Sequence, residues 1–156
     1  MAKEIERKFL VDPKKLPPLH HPLRIRQGYL PGCQTGTVRV RISNEEAFLT
    51  LKGRTTGITR SEFEYPVPLS EAEQMLTELC SSHFIEKERY LVPYEGHLWE
   101  IDIFSGKNSG LIVAEIEFSE ENEAFATPEW VTAEVSSDPK YRNVNLLAYP
   151  YCDWEI

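Results

Sequence analysis

The chain has 156 residues, of which 41% are apolar and 27% are charged, as expected for one globular domain spanning residues 1–156. Its net charge is −8 and it contains no block of Lys and Arg, which argues against binding nucleic acid or a membrane surface through the exterior. An acidic exterior can still enclose a basic interior. No stretch approaches the roughly 20 apolar residues needed to span a bilayer.

The first residues and the cysteines indicate a cytoplasmic protein. Residues 1–6 lack the apolar core of a signal peptide, so we expect no export. Cys33, Cys80 and Cys152 are odd in number and widely spaced, which fits neither a disulfide framework nor a cysteine metal site. We therefore expect a reducing, cytoplasmic environment.

Alternation of polar and apolar residues with period 2 predicts eight strands. They are expected at about 3–11, 22–30, 36–43, 46–53, 58–67, 84–92, 97–104 and 110–118. Gly and Pro punctuate the segments between them. Eight strands at this spacing indicate a closed or nearly closed antiparallel sheet.

Two helices are predicted beside the strands. Ser70 can cap a helix over about 70–81, with Glu73 at the capping-box position and an apolar stripe that would pack on the sheet. A second, shorter helix is expected at about 140–148 from the helical spacing of its apolar residues.

Charged residues recur at alternate positions in strand after strand. Because residues i and i+2 share one face of a strand, Glu4 and Glu6 point the same way, and so do Arg39 and Arg41. A sheet with one face in water gives the same alternation. A wet face would mix more Ser, Thr, Asn and Gln among the charges, and pairs of like sign repel each other. The pattern therefore favours charged rows that face an enclosed interior.

An enclosed interior lined with both acids and bases suits a particular chemistry. An eight-stranded barrel is just wide enough for side chains or one small ligand. Carboxylates suit hard cations such as Mg²⁺ or Mn²⁺, while Arg and Lys suit phosphate oxygens. The sequence therefore indicates a cavity that binds a triphosphate group together with a divalent metal.

Short charged motifs follow one another along the chain in a distinctive order. The first is E-x-E-x-K at Glu4, Glu6 and Lys8. The later ones are R-I-R-Q-G-Y-L at 24–30, V-R-V-R at 38–41, L-T-L-K-G at 49–53, R-S-E-F-E at 60–64, K-E-R-Y at 87–90, E-I-D-I-F at 100–104 and A-E-I-E-F at 114–118. From about residue 2 to residue 147 the chain resembles the CYTH domain, also called the triphosphate tunnel metalloenzyme family.

The resemblance implies a mainly β (α+β) fold, a closed eight-stranded antiparallel β-barrel tunnel with a few flanking helices. It also implies that the tunnel hydrolyses or rearranges triphosphates with Mg²⁺ or Mn²⁺. Carried over by position, the phosphate-binding residues would be Lys8, Arg39, Arg41, Lys52, Arg60, Lys87 and Arg89. The metal-binding acids would be Glu4, Glu6, Glu115, Glu117 and Asp102, with Glu64 close by. The catalytic residues would be Glu62 or Glu117, which would orient or deprotonate the water, together with Lys8 and Arg39.

The resemblance leaves some residues with two interpretations. Arg24 and Arg26 fit the rim or the surface as well as the ligand site, and Tyr29 is expected to be a packing or exterior aromatic. The final helix resembles one that can close a tunnel mouth in the family. Lys140 and Arg142 would therefore either reach the ligand or lie on the helix surface.

The expected reaction is hydrolysis of inorganic tripolyphosphate to diphosphate and phosphate, because the chain has no inserted domain and no recognisable pocket for a base. The same site could instead serve an adenylyl cyclase or a thiamine or nucleoside triphosphatase. Two further hypotheses are a non-enzymatic polyphosphate- or nucleotide-binding module and a structural β-domain whose charges are solvated. The expected partner is a small-molecule triphosphate, with no nucleic acid or membrane, and the expected state is a monomer or homodimer.

Overall fold

The computed structural model describes residues 3–80 and 84–155. Its strands are β1 (Lys3–Val11), β2 (Leu23–Tyr29), β3 (Gly36–Ser43), β4 (Glu46–Gly53), β5 (Thr59–Val67), β6 (Ile85–Tyr94), β7 (His97–Phe104), β8 (Ile112–Glu117) and β9 (Val131–Glu134). Its α-helices are α1 (Leu69–Glu78) and α2 (Asn143–Ala148). Short 3₁₀ turns lie at Pro13–Lys15, Gly106–Asn108, Pro139–Tyr141 and Tyr151–Asp153.

Eight strands form a closed antiparallel barrel, which confirms the predicted fold class. Around the barrel the order is β1, β8, β7, β6, β2, β3, β4 and β5, and β5 pairs again with β1. The closing ladder is short, because Lys3, Glu4 and Ile5 are the residues of β1 that pair with β5. Farther along the same edge β1 pairs with β9. The strand β9 was not predicted, since four residues are too few to show alternation.

The helices differ in detail from the prediction. Helix α1 begins at Leu69 with Pro68 at the N-cap, so Ser70 lies in the first turn and the prediction that it caps the helix was wrong. Glu73 does not complete a capping box, because its carboxylate accepts a hydrogen bond from Arg26 on β2. The predicted second helix is a 3₁₀ turn followed by α2. Among the described residues, neither α-helix is long and apolar enough to cross a bilayer.

The outward face of the barrel is apolar, and the helices and loops cover part of it, whereas Leu51, Phe63 and Tyr65 on β4 and β5 are exposed. Leu76 of α1 packs against β3, Trp130 packs against β7, and Leu146 of α2 packs against β6. Gly28 on β2 allows α1 to approach, because a Cβ atom there would lie 2.8 Å from the Cβ of Cys80. With its apolar residues turned outward under this cover, the barrel turns its charged rows inward.

We expect Leu76→Ala to lower the free energy of unfolding by about 2–5 kcal/mol, because it leaves a cavity between α1 and the barrel. Leu76 is 1% exposed. The matched control is Leu79→Ala at the end of the same helix, where the side chain is 49% exposed. Urea unfolding of both variants measures the difference, and equal losses would contradict the packing role of α1.

Candidate functional site

The charged rows line a cavity of about 330 Å³ inside the barrel. The acids that line it are Glu4, Glu6, Glu62, Glu64, Glu100, Glu115, Glu117 and Asp138. The bases that line it are Lys8, Arg39, Arg41, Lys52, Arg60, Lys87, Arg89 and Arg142. The structure therefore brings together every predicted site residue except Asp102.

The acids and bases occupy different arcs of the barrel wall. Most acids lie on the neighbouring strands β1, β8 and β7 and on β5, while β3, β4 and β6 carry five of the bases. In the closed ring of eight strands β8 lies opposite β3, so Glu115 and Glu117 are on the wall opposite Arg39 and Arg41. The cavity thus has an acidic side and a basic side.

The net charge of the protein lies outside this cavity. Of the 25 acids and 17 bases in the chain, eight of each line the cavity within the described residues. The remaining 17 acids and nine bases account for the whole charge of −8. The interior is therefore balanced in formal charge, rather than basic as the sequence allowed.

The acidic side is crowded around Glu6. Glu6 lies directly across from Glu117 on β8, and Glu115 lies across from Glu100 on β7. Burial raises the pKa of Glu6 well above its ordinary value, and the carboxylates of Glu115 and Glu4 add to the rise. Burial also favours the neutral form of Glu115, but the cations Lys8 and Arg89 hold its pKa well below the ordinary value. Glu6 therefore takes up a proton more readily than Glu115 does.

Lys52, a base on β4, forms ion pairs with two carboxylates of the acidic side. Its Nζ lies 2.9 Å from Oε2 of Glu4 and 3.3 Å from Oε2 of Glu62. Burial opposes the charge of Glu4, but Lys52 and a hydrogen bond from Glu62 lower the pKa of Glu4. Burial and the bond to Glu4 raise the pKa of Glu62. Glu4 is the ionised partner, and Glu62 is the more basic carboxylate.

Asp102 holds two cations from behind the cavity wall. Arg89 donates to it from Nε at 2.8 Å and from Nη2 at 2.9 Å, and Nζ of Lys87 lies 2.7 Å from Oδ2. Burial disfavours its charge, but these two partners hold the pKa of Asp102 at about 2. Asp102 is fully buried and lies outside the cavity lining, so the structure does not support it as a metal ligand. Both of its oxygens are already bonded.

Arg39 on β3 is buried and Arg41 is half-buried, and both have few hydrogen-bond partners. Arg39 donates from Nη2 to Oγ1 of Thr50 at 3.1 Å, and its Nε has no hydrogen-bond partner among the described residues. Arg41 donates from Nε to Oε1 of Gln27 at 3.0 Å. Burial and the neighbouring charges of Arg39 and Arg89 lower the pKa of Arg41 to about 10, so it stays charged at neutral pH. These guanidinium groups suit an anionic ligand.

The segment that follows β9 lines one end of the cavity. Lys8 donates from Nζ to the carbonyl oxygen of Tyr141 at 3.0 Å, and Lys87 donates from Nζ to Oδ1 of Asn143 at 2.9 Å. Arg142 also lines the cavity. Lys140 instead points to the exterior, with Nζ 4.5 Å from the ring centroid of Trp154.

Strand β2 turns its charged side chains outward, although their alternation suggests that they face the cavity. Arg26 pairs with Glu73 on α1 outside the barrel, and Arg24 is exposed. Tyr29 lines the cavity, so the expectation of a packing or exterior residue was wrong. The reason is that Gln27 and Tyr29 share the inward face of β2, where Gln27 Nε2 donates to the Tyr29 hydroxyl at 3.0 Å.

Three residues that bond to the cations of the site were not among the predicted site residues. Glu100 lines the cavity and accepts a hydrogen bond from Arg89 at 3.1 Å. Gln27 and Asn143 are neutral amides that bond to the cations. The position of Glu100 two residues before Asp102 was a usable signal, whereas nothing in the sequence distinguishes the two amides.

The acidic side has suitable chemistry for a hard divalent cation. Its donors are carboxylate oxygens, and burial with nearby carboxylates raises the pKa of both Glu6 and Glu117, a cost that a cation would relieve. Within residues 3–80 and 84–155, no three acids, histidines or cysteines are already arranged to hold an ion. Mg²⁺ is commonly bound by one or two carboxylates plus substrate phosphates, which requires no such cage.

A closed barrel with an acid-and-base-lined interior is the architecture expected for the CYTH domain. The model of that family matches residues 2–147, and the chain belongs to the CYTH family.

Relatives with similar sequences cover nearly the whole chain. An inorganic triphosphatase of Acetivibrio thermocellus is 46% identical over 151 residues, which are 97% of each protein. An inorganic triphosphatase of Nitrosomonas europaea is 38% identical over 149 residues, 92% of this chain and 95% of that one. The crystal structure of the inorganic triphosphatase NE1496 is similar with a TM-score of 0.66 and 36% identity, over 92% of this chain and 97% of that chain.

We expect Glu6→Gln to raise the melting temperature of the metal-free protein at a pH above the folded-state pKa of Glu6. That pKa is raised from 4.5, so the stability this group contributes is fully present below about pH 4.5 and is lost as pH rises through the folded value. Glutamine cannot ionise, so the variant does not lose this stability as pH rises. The gain should shrink toward zero as pH falls to about 4.5, measured by thermal unfolding in chelator.

Glu134→Gln is the control of opposite sign. A hydrogen bond from Arg7 lowers the pKa of Glu134, so its contribution to stability is present at neutral pH and is lost as pH falls. This variant should therefore melt below the parent at neutral pH. A rise in both variants would contradict crowding at Glu6 as the cause.

Proposed function

We propose that this protein is a metal-dependent inorganic triphosphatase, which hydrolyses tripolyphosphate to diphosphate and phosphate inside the barrel. The observation that carries the proposal is the separation of the cavity wall into an acidic and a basic side. A triphosphate suits the basic side, and a divalent cation, Mg²⁺ or Mn²⁺, suits the acidic side. The reaction named for the relative that is 46% identical over 97% of each chain supports the same assignment.

The size and lining of the cavity favour a short inorganic chain over a nucleotide. The volume of about 330 Å³ is at the lower end of the roughly 300–1,000 Å³ typical of small-molecule sites. Nearly all of the side chains that line it are charged or polar. The eight cations of the lining offer charged hydrogen-bond donors to phosphate oxygens, which suit a triphosphate chain better than a nucleoside.

In the proposed reaction, water attacks a terminal phosphorus and the bond from that phosphorus to the bridging oxygen breaks. The products are phosphate and diphosphate. Glu62 and Glu117 are the candidates for accepting the proton of the water, because burial raises the pKa of both carboxyl groups. The residues that bind phosphate oxygens and stabilise the charge of the leaving group are Lys8, Arg39, Arg41, Lys52, Arg60, Lys87 and Arg89.

The carboxylates that would hold the cation are Glu4, Glu6, Glu115 and Glu117. When bound, the cation would neutralise charge on the phosphate oxygens. We assign Asp102 to positioning Lys87 and Arg89, since both of its oxygens are bonded to them. The cytoplasmic location, the single domain, the lack of nucleic-acid and membrane partners and the monomeric or homodimeric state stay predictions from the sequence.

The test is to incubate the purified protein with tripolyphosphate, ATP or thiamine triphosphate in Mg²⁺ or Mn²⁺ and to identify the products by phosphorus NMR. Tripolyphosphate should be consumed fastest and give phosphate and diphosphate. Cyclic AMP as the main product from ATP would replace the proposal with a cyclase. Tight binding of tripolyphosphate without turnover would replace it with a binding module.

We expect Arg39→Ala to lower kcat/KM for tripolyphosphate by about 100-fold or more, because it removes a buried donor to the charged phosphate oxygens. Arg26→Ala is the matched control, since Arg26 pairs with Glu73 outside the barrel. Its kcat/KM should stay within about threefold of the parent value. Equal losses in the two variants would contradict an inward phosphate site.

We also expect Mg²⁺ or Mn²⁺ to raise the melting temperature, because a ligand that binds only the folded state adds about 2.7 kcal/mol of stability at 100 times its dissociation constant. Glu117→Gln should remove most of that rise and abolish turnover without unfolding the protein. Burial already raises the pKa of Glu117, so the metal-free barrel loses little with the charge. Glu73→Gln outside the barrel should keep the full rise, and a Glu117→Gln variant that keeps it would remove this acid from the metal site.

A further inference from the structure

Two neutral amide side chains hold cations of the basic side. Gln27 on β2 is fully buried and lies directly across from Arg41 on β3. Its Oε1 accepts a hydrogen bond from Arg41 Nε at 3.0 Å, and its Nε2 donates to the Tyr29 hydroxyl at 3.0 Å. The same Nε2 lies 3.2 Å from Oδ1 of Asn143, to which it also donates.

Asn143 completes a chain of hydrogen bonds from Arg41 to Lys87. Asn143 is the first residue of α2, and its Oδ1 accepts from both Gln27 Nε2 and Lys87 Nζ, the latter at 2.9 Å. The ammonium group of Lys87 has three N–H bonds. Asp102 and Asn143 take two of them, and Nζ also lies 5.3 Å from the ring centroid of Phe104, at the wall of the cavity that Lys87 lines.

Buried cations need hydrogen-bond acceptors, and the acceptor can be charged or neutral. The carboxylate of Asp102 gives Arg89 two bonds and also cancels a unit of positive charge. Asp102 also pairs with Lys87, and the amides of Gln27 and Asn143 give further bonds to Arg41 and Lys87 without adding negative charge. Positive charge therefore accumulates here. Burial and then the charges of Arg39 and Arg89 lower the pKa of Arg41. Burial lowers the pKa of Lys87, Asp102 opposes that shift, and the charges of Arg89 and Arg41 add to it.

We propose that Gln27 and Asn143 are positioning residues, which fix Arg41 and Lys87 by neutral hydrogen bonds that add no negative charge beside the triphosphate. The inference rests on the proposed function, because it concerns the binding of that substrate. It predicts that charge neutrality at these two positions matters more than the hydrogen bonds themselves. A purely structural role predicts the reverse.

The experiment compares Asn143→Asp with Asn143→Ala. Aspartate has nearly the shape of asparagine and keeps the acceptor for Lys87, but it adds a negative charge beside the substrate cations. Binding of tripolyphosphate without divalent metal, measured by calorimetry, should weaken by about tenfold or more in Asn143→Asp and by less in Asn143→Ala. With metal present, KM for tripolyphosphate should rise more than kcat falls in Asn143→Asp.

Thr132→Asp controls for net charge, because Thr132 is exposed on β9 and lies outside the cavity lining. Its affinity for tripolyphosphate should equal that of the parent. Gln27→Glu is the second variant, and it should weaken binding as Asn143→Asp does while Gln27→Ala weakens it less. The melting temperature of each variant shows whether it is folded, and if Asn143→Asp does not fold, the Gln27 pair decides the outcome.

The possible failures are distinguishable. Parent-like affinity in Asn143→Asp, or a larger loss in Asn143→Ala than in Asn143→Asp, would overturn the role of the amides while hydrolysis by the parent leaves the proposed function intact. A parent that binds tripolyphosphate without hydrolysing it overturns the triphosphatase assignment, yet the ranking of the variants still decides the role of the amides. A parent that does not bind tripolyphosphate overturns both.

Discussion

Burial of ionic rows inside a closed sheet is the constraint on which the rest of this structure depends. A charge removed from water needs partners, and in the barrel several of those partners lie directly across on the neighbouring strand. Arg89 lies directly across from Asp102, and Lys52 lies directly across from Glu62. Strand register therefore decides which acids and bases compensate each other. A slip by one residue would turn apolar side chains toward the cavity. It would also turn the charged side chains toward α1 and the loops that pack on the outward face.

The compensation is incomplete in a way that favours a pair of ligands. Acids are crowded on one side of the cavity and bases on the other, so like charges remain close together even though the lining is balanced overall. Burial is the largest cause that raises the pKa of Glu6 and lowers that of Lys87 to about 7, and the like charges close to each group add to the shift. Both shifts measure a free-energy cost that an opposite charge would relieve. A cation would relieve the cost on the acidic side and a polyanion the cost on the basic side. Either ligand alone would leave the cost on the other side in place.

The sequence predicted the strands and the inward rows well, because period-2 alternation reports two faces of a strand directly. It could not say which face of β2 turns inward. Arg24 and Arg26 suggested the charged face, yet Gly28 on that face lies under α1, where a larger side chain would collide with Cys80. Alternation also cannot measure depth. Asp102 and Glu100 are in the same row. Asp102 is fully buried behind Arg89, whereas Glu100 reaches the cavity.

The neutral members of the site were beyond prediction for a related reason. Gln27 and Asn143 acquire their roles from residues 14 and 56 positions away along the chain, through contacts with Arg41 and Lys87 that only the closed barrel and the segment after β9 create. Charge rows can be found by alternation, but a neutral acceptor looks like any other polar residue. Its placement nevertheless sets how much positive charge the cavity keeps. A carboxylate such as Asp102 bonds to the cations and also cancels a unit of positive charge, whereas an amide bonds to them and adds no negative charge. A phosphate-binding wall benefits from both kinds of acceptor, because the carboxylate keeps the buried cations charged and the amides leave an excess for the ligand.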